Sequence, residues 1–277
     1  MHLISGDKTL PDELVQTKIR LFYTEQEGFG ATYRRFMLAR LFWRLVDDYG
    51  LKSVCEAPCG SYGAIGANSL PFVVKGCQVT FIQSEEALNQ ARELWRRSGI
   101  LKQARFVASS LASIPLEDYA CDLVWNFIAI PMLPNPEVYL HEMKRISKRF
   151  VLLVCPNRAN YGYPFYVIKN LLAMKKGKFG SSKWFKRSSV RQALVSLGMK
   201  VVEEHLIDIP PWPGFEALLG LLRWLHRPTT SEVRGDHEDF EAISRVVQKY
   251  SFIEESRLPT IIKSRFAHLF YVLAERQ

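Results

Sequence analysis

The chain alternates between short, nearly unbroken apolar runs and longer stretches whose apolar residues recur every three or four positions. The runs at Ser53–Cys55, Cys77–Ile82, Ala104–Ala108, Cys121–Phe127 and Arg149–Val154 read as strands. Between them, Ser84–Arg97 and Pro136–Ile146 read as helices. Ser84 is placed as an N-cap before Glu85 and Glu86, and Pro134-Asn135-Pro136 opens the second helix. Strands apolar on both faces, each followed by a helix, indicate a parallel sheet covered on both sides. Ligands of such sheets sit at the carboxyl ends of the strands, where the strand order reverses. That places Glu56, Gln83, Ser110 and Asn126 along one edge.

Ahead of the first strand, residues 1–15 read as a loosely ordered arm, and Leu14–Tyr49 as helical with a break at Gly28-Phe29-Gly30. Phe36, Leu38, Leu41, Phe42, Leu45 and Val46 form an apolar stripe. Arg34, Arg35, Arg40 and Arg44 fall between them and read as a solvated face. Past the fifth strand, Tyr161, Tyr163, Phe165 and Tyr166 precede a basic run from Lys169 to Arg187. We read this as a helical insertion whose aromatics cap a pocket, with a surface for nucleic acid or an anionic substrate as the alternative. Ser188–Leu197 reads as a helix stopped by Gly198, Met199–Ile207 as a strand, and His268–Ala274 as the closing strand. Between these lie Pro210-Pro211-Trp212-Pro213, the strongly apolar Phe215–His226, a polar stretch at 228–239 and a helical Phe240–Ile253. Residues 215–226 suit a lid or a dimer contact, with a membrane surface as the alternative.

One stretch reads either as a ligand loop or as an ordinary strand-to-helix turn. In Ser53–Leu70, SVCEAPCGSYGAIGANSL, a buried strand ends in Glu56 and enters a turn with Gly60 and Gly63 before a helix that Pro71 closes or kinks. Glycine lets the backbone approach a ligand, and a helix N-terminus offers unpaired N–H groups. The spacing Gly60-x-x-Gly63-x-x-Gly66 is not the G-x-G-x-x-G of dinucleotide folds. Composition adds less. With 48% hydrophobic and 23% charged residues the chain is an ordinary globular one, and its net charge of +9 fits a basic surface or an acidic partner. Five cysteines, with no C-x-x-C pair, read as reduced buried thiols rather than a metal site. The N-terminus lacks a basic start followed by an apolar run, and no run is long enough to span a membrane, so the expected setting is cytoplasmic.

With the strands laid out, the chain resembles the class I S-adenosylmethionine-dependent methyltransferase family, its small-molecule branch above all. Glu56-Ala57-Pro58-Cys59-Gly60-Ser61-Tyr62-Gly63 matches the acid and Gly-rich turn of the first family motif. Val79–Arg92 is similar to the second strand and the helix after it, and Asp122–Phe127 with Met132–Pro136 and Glu142–Ile146 to strand four and its helix. Val154-Cys155-Pro156-Asn157 resembles the end of strand five, and the strands near Val201 and Leu269 resemble the closing antiparallel pair. The resemblance implies an α/β fold: a doubly wound, mostly parallel seven-stranded sheet, Rossmann-like, with N-terminal helices and a helical lid. Residues 1–49 would be the helical arm and lid, and 50–277 the Rossmann-like domain, with insertions at about 158–190 and 209–240.

The resemblance also implies a cofactor site for S-adenosylmethionine at Glu56, Ala57, Pro58, Gly60, Gly63, Gln83, Ser84, Ser110, Leu111, Asn126 and Phe127. Gly60 would pass beneath the methionine part, Asn126 would lie near the sulfonium, Gln83 would face the ribose and Ser110 the adenine amine. The family usually has an acid where this chain has Gln83, and commonly Asp where it has Ser109-Ser110. Neutral partners hold those hydroxyl and amine groups more weakly, by roughly 1 kcal/mol or more each. Methyl transfer from a sulfonium needs positioning and exclusion of water, and a base only for a poorly ionised acceptor. Tyr161, Tyr163, His205 and Trp212 are assigned to the acceptor pocket, and Asp208 and His237 join the candidate bases, though none sits in a catalytic motif. The expected activity is methyl transfer to a small, apolar or aromatic acceptor, with no DNA and no metal. A non-catalytic subunit of the same fold, an RNA methyltransferase, a homodimer and a membrane contact through 215–226 stay open as alternatives.

Overall fold

The computed structural model describes residues 29–60, 65–110, 112–164, 167, 181–210 and 250–277. Its centre is a seven-stranded sheet in the order β3-β2-β1-β4-β5-β7-β6. The strands are β1 (Ser53–Glu56), β2 (Gln78–Gln83), β3 (Ala104–Ala108), β4 (Cys121–Phe127), β5 (Ser147–Pro156), β6 (Met199–Ile207) and β7 (Leu269–Arg276). β1 to β5 pair in parallel, and β7 runs antiparallel between β5 and β6. The strand order reverses between β1 and β4, where the direction of winding changes.

Helices cover both faces because the strands are apolar on both. On one face, α1 (Phe29–Tyr49), the short α2 (Leu70–Val74) and α3 (Glu85–Arg97) pack onto Val54, Leu123, Trp125, Phe150 and Leu152. On the other, α4 (Pro136–Ile146) and α5 (Arg187–Ser196) cover Cys55, Val124, Val151 and Leu153. α6 (Thr260–Phe266) precedes the closing strand. Phe42 of α1 stacks on Phe72 of α2 at 4.3 Å and meets Trp125 edge-on at 4.8 Å, so α1 shares the core of the sheet. Burying aromatic pairs of this kind adds about 0.5–1.5 kcal/mol each beyond the area they cover.

Two local readings change. Pro71 occupies the first turn of α2 and opens it, since proline gives up no helical bond there. The arginines of α1 are not a solvated face: Arg34 pairs with Asp208 at 2.8 Å, Arg40 with Glu255, and Arg44 with Glu203 and Asp48. They fasten the helix to β6 and to the chain before β7. The five cysteines are free and buried, as reduced core thiols. Among the described residues no helix is long and apolar enough to cross a membrane, and no cluster of three metal-ligating side chains occurs.

Candidate functional site

The carboxyl ends of β1, β2, β3 and β4 form one edge, and the chain leaving each strand there is held by side chains rather than by regular pairing. After β1, the Ala57 N–H donates to Trp125 O and the Cys59 N–H to Ile82 O, so the turn stays stitched to both neighbouring strands. Gly60 then takes φ +73°, and an added Cβ would lie 2.6 Å from both Ile65 Cγ1 and Cγ2. Only glycine meets both demands there.

Glu56 supports this turn from inside. Its carboxylate is fully buried and accepts from Ser69 Oγ at 2.6 Å and from the Gly60 N–H at 3.3 Å. Ser69 Oγ accepts in turn from Trp125 Nε1 at 3.1 Å. Burial outweighs these donors and pushes the carboxyl up to about 7. Asn126 is equally hidden: its Nδ2 donates to Ala57 O at 3.0 Å, and its Oδ1 accepts from the Ala129 N–H at 3.0 Å. Between those contacts Ile128 sits at φ 60°, a conformation that costs a β-branched residue about 1–3 kcal/mol. The Tyr139 hydroxyl from α4, on a residue only 3% exposed, stands beside Asn126 and makes no hydrogen bond of normal geometry.

Gln83 ends β2 and uses both halves of its amide within the chain. Nε2 donates to Cys59 O at 3.1 Å, and Oε1 accepts from the Ser84 N–H at 3.0 Å. The glutamine thus clamps the turn after β1 to the end of β2, a task a carboxylate cannot perform because it has no proton to donate. Gln83→Leu and Gln83→Glu should each lower stability by about 1–3 kcal/mol in thermal unfolding. A Gln83→Glu protein as stable as the parent would show that the clamp contributes nothing.

The remaining sequence candidates divide. Ala57, Pro58 and Phe127 are buried around the turn, whereas Ser84 and Ser110 are exposed just beyond β2 and β3. The Ser84 hydroxyl makes no cap bond to α3. Tyr161 and Tyr163 follow β5, against Phe266 and Phe185, with ring centroids 6.0 and 5.7 Å apart. His205 lies on the exposed side of edge strand β6, its ring 5.7 Å from Tyr271. Gly63, Leu111, Trp212 and His237 lie outside the described residues, as do Phe165, Tyr166 and 215–226.

A second group lies on the same edge, of which the sequence pointed to Asp208 as a candidate base but not to His268 or Glu254. Because β7 is antiparallel, its start meets the ends of β5 and β6: Leu269 pairs with Pro156 and with Ile207. Next to it stand His268, the fully buried Asp208 at φ 61° and Glu254. His268 bonds the Pro210 carbonyl through its ring, its Nε2 has no partner among the described residues, and burial holds it below its ordinary pKa of 6.5. Glu254 accepts from the Ile209 N–H at 2.8 Å and from the Tyr33 hydroxyl at 3.2 Å, and burial, reinforced by Asp208, pushes it up to about 7. The antiparallel closing strand was legible; that its first residue belongs to the ligand edge was the available clue.

Residues 60–155, from the glycine of the turn to the end of β5, match the family model described as a methyltransferase domain. Over those residues the chain is similar to a methyltransferase domain. No curated protein sequence matches it. Among solved structures, magnesium protoporphyrin IX methyltransferase from Synechocystis PCC 6803 aligns over 93% of this chain and 92% of its own, at 13% identity and a TM-score of 0.54. A structure from Bacillus halodurans C-125 described as a methyltransferase covers 86% of this chain and 98% of its own, at 18% identity and a TM-score of 0.51. The [4+2]-cyclase SpnF aligns at 13% identity over 86% of this chain and 80% of its own, with a TM-score of 0.50. At these identities the chain shares its fold with them, and the fold hosts more than one chemistry.

Proposed function

We propose that this chain binds S-adenosylmethionine at the β1–β4 edge and transfers its methyl group to a small organic acceptor. The observation that carries the reading is the Gly60 turn, built as a fixed, left-handed bend at the point where the strand order reverses. The residues present suit the cofactor: the left-handed glycine bend at Gly60, exposed hydroxyls on Ser84 and Ser110, and the Tyr139 hydroxyl beside Asn126. When bound, S-adenosylmethionine supplies an electrophilic methyl on a sulfonium. The chain's own share is to orient and to exclude water. Glu56 and Asn126 support the turn from beneath instead of contacting a ligand, and Gln83 fixes its far side.

An acceptor that must lose a proton would find its base at the second group. His268 suits that role: its depressed pKa leaves the ring neutral at pH 7, with Nε2 free to accept. Incubating the protein with methyl-labelled S-adenosylmethionine and a panel of small hydroxylated and aromatic acceptors tests the proposal. The expected result is label in a small product with stoichiometric S-adenosylhomocysteine. One observation favours a binding-only subunit instead. Glu56 and Gln83, the polar residues at the ends of β1 and β2, are both engaged inside the chain. Cofactor binding without transfer to any acceptor would support that reading.

A further inference from the structure

The positive charge of this protein has one source. Residues 143–202 hold fourteen of the 37 Lys and Arg residues and none of the 28 Asp and Glu residues, so the rest of the chain is net acidic. Within that stretch five of the ten described cations are paired with carboxylates from outside it. Arg145 pairs with Glu142 and Asp118, Lys148 with Asp122, Arg149 with Glu275, Lys183 with Glu137, and Arg191 with Glu204. Arg158, Lys186 and Arg187 have no carboxylate partner among the described residues, and all three line one concavity of about 740 Å³.

That concavity lies past the end of β5 and at the start of α5. Phe185, Leu206 and Phe270 contribute apolar wall, and Ser188 and Ser264 contribute hydroxyls. Its frame is fixed. The Arg158 N–H donates to Phe185 O at 3.0 Å, and Asn157 Nδ2 donates to Ser264 O at 2.8 Å and Ala267 O at 2.9 Å. Arg158 lies over the Tyr163 ring at 5.8 Å, and three like charges lining one concavity favour an anion that joins them. α5 adds to the field, because its first turn carries no acid and no side-chain cap. Glu204, the one carboxylate on the wall among the described residues, is engaged with Arg191 at 2.8 Å.

We propose that Arg158, Lys186 and Arg187 form a binding site for a phosphate-type polyanion, separate from the β1–β4 edge. A single carboxylate would leave two of the three cations unmatched, whereas a phosphate monoester or diphosphate balances them and accepts several N–H donors at once. The phosphate belongs either to a free phosphorylated molecule or to a lipid headgroup. The site does not depend on the methyl-transfer reading.

Calorimetric titration of the full chain with inorganic pyrophosphate, at low and at physiological salt, tests the site. Sedimentation with phosphatidylcholine vesicles containing phosphatidic acid separates the two sources. Arg158→Gln and Arg187→Gln should each weaken binding at least about tenfold, while Lys200→Gln, in the same acid-free stretch but at the opposite end of β6, should change it less than twofold. Pyrophosphate binding with that order supports a free phosphorylated ligand. Vesicle binding alone with the same order supports a headgroup. No binding to either, or equal losses in all three variants, overturns the site, provided thermal unfolding shows the variants folded.

Discussion

Gly60→Ala should destroy the turn after β1. The new Cβ would lie 2.6 Å from two side-chain carbons of Ile65, and φ +73° is already unfavourable for alanine. The left-handed backbone costs about 1–2 kcal/mol and overpacking about 1–3 kcal/mol more. The sum, about 2–5 kcal/mol, corresponds to a loss of roughly 30-fold or more in affinity for any ligand that needs the native turn. Gly76→Ala is the control. Gly76 also has a left-handed backbone, φ +80°, but nothing lies within 4 Å of its added Cβ. It should lower the melting temperature through backbone strain alone and leave binding at the edge intact. If Gly60→Ala matches Gly76→Ala in both stability and binding, the packing of Ile65 against Gly60 does not shape the site.

The second large effect is one of pH. Glu56 and Glu254 are both raised from 4.5 to about 7, chiefly by burial. A carboxyl raised on folding binds its proton more tightly in the folded chain than in the unfolded one. Its contribution is therefore fully present below pH 4.5 and is lost as pH rises through about 7. Each shift is worth about 3 kcal/mol at its limit. Glu56→Gln removes one of the two titrations while keeping an acceptor for Ser69. The stability difference, variant minus parent, should grow by about 3 kcal/mol between pH 4.5 and pH 8 in urea unfolding. A difference independent of pH would mean that Glu56 titrates normally, and that its burial is not felt by the carboxyl.

Much of this was legible because strand and helix periodicities carry the fold. β3 and β4 fall where the apolar runs place them, and the ends of β1, β2 and β4 bring Glu56, Gln83 and Asn126 to one edge. What the sequence could not convey is where side chains point. Gln83 looks like a weakened ribose partner until its Nε2 is seen on Cys59 O, and Glu56 looks like a ligand until Ser69 is seen beneath it. Those contacts join residues 24 and 13 positions apart through the turn, and no local pattern encodes them. His268 and Glu254 escaped, and Asp208 was named without them, for a related reason: the three meet through the antiparallel pairing of β7 with β5 and β6, while Arg34 reaches Asp208 from a helix 174 residues earlier.

The account rests on the β1–β4 edge being a cofactor site. Titrating the parent protein and Gly60→Ala with S-adenosylmethionine and S-adenosylhomocysteine in a calorimeter tests this most directly. We expect saturable one-to-one binding of both ligands to the parent and a loss of roughly 30-fold or more in the variant. No heat of binding at millimolar ligand, or equal binding by the two proteins, would contradict it.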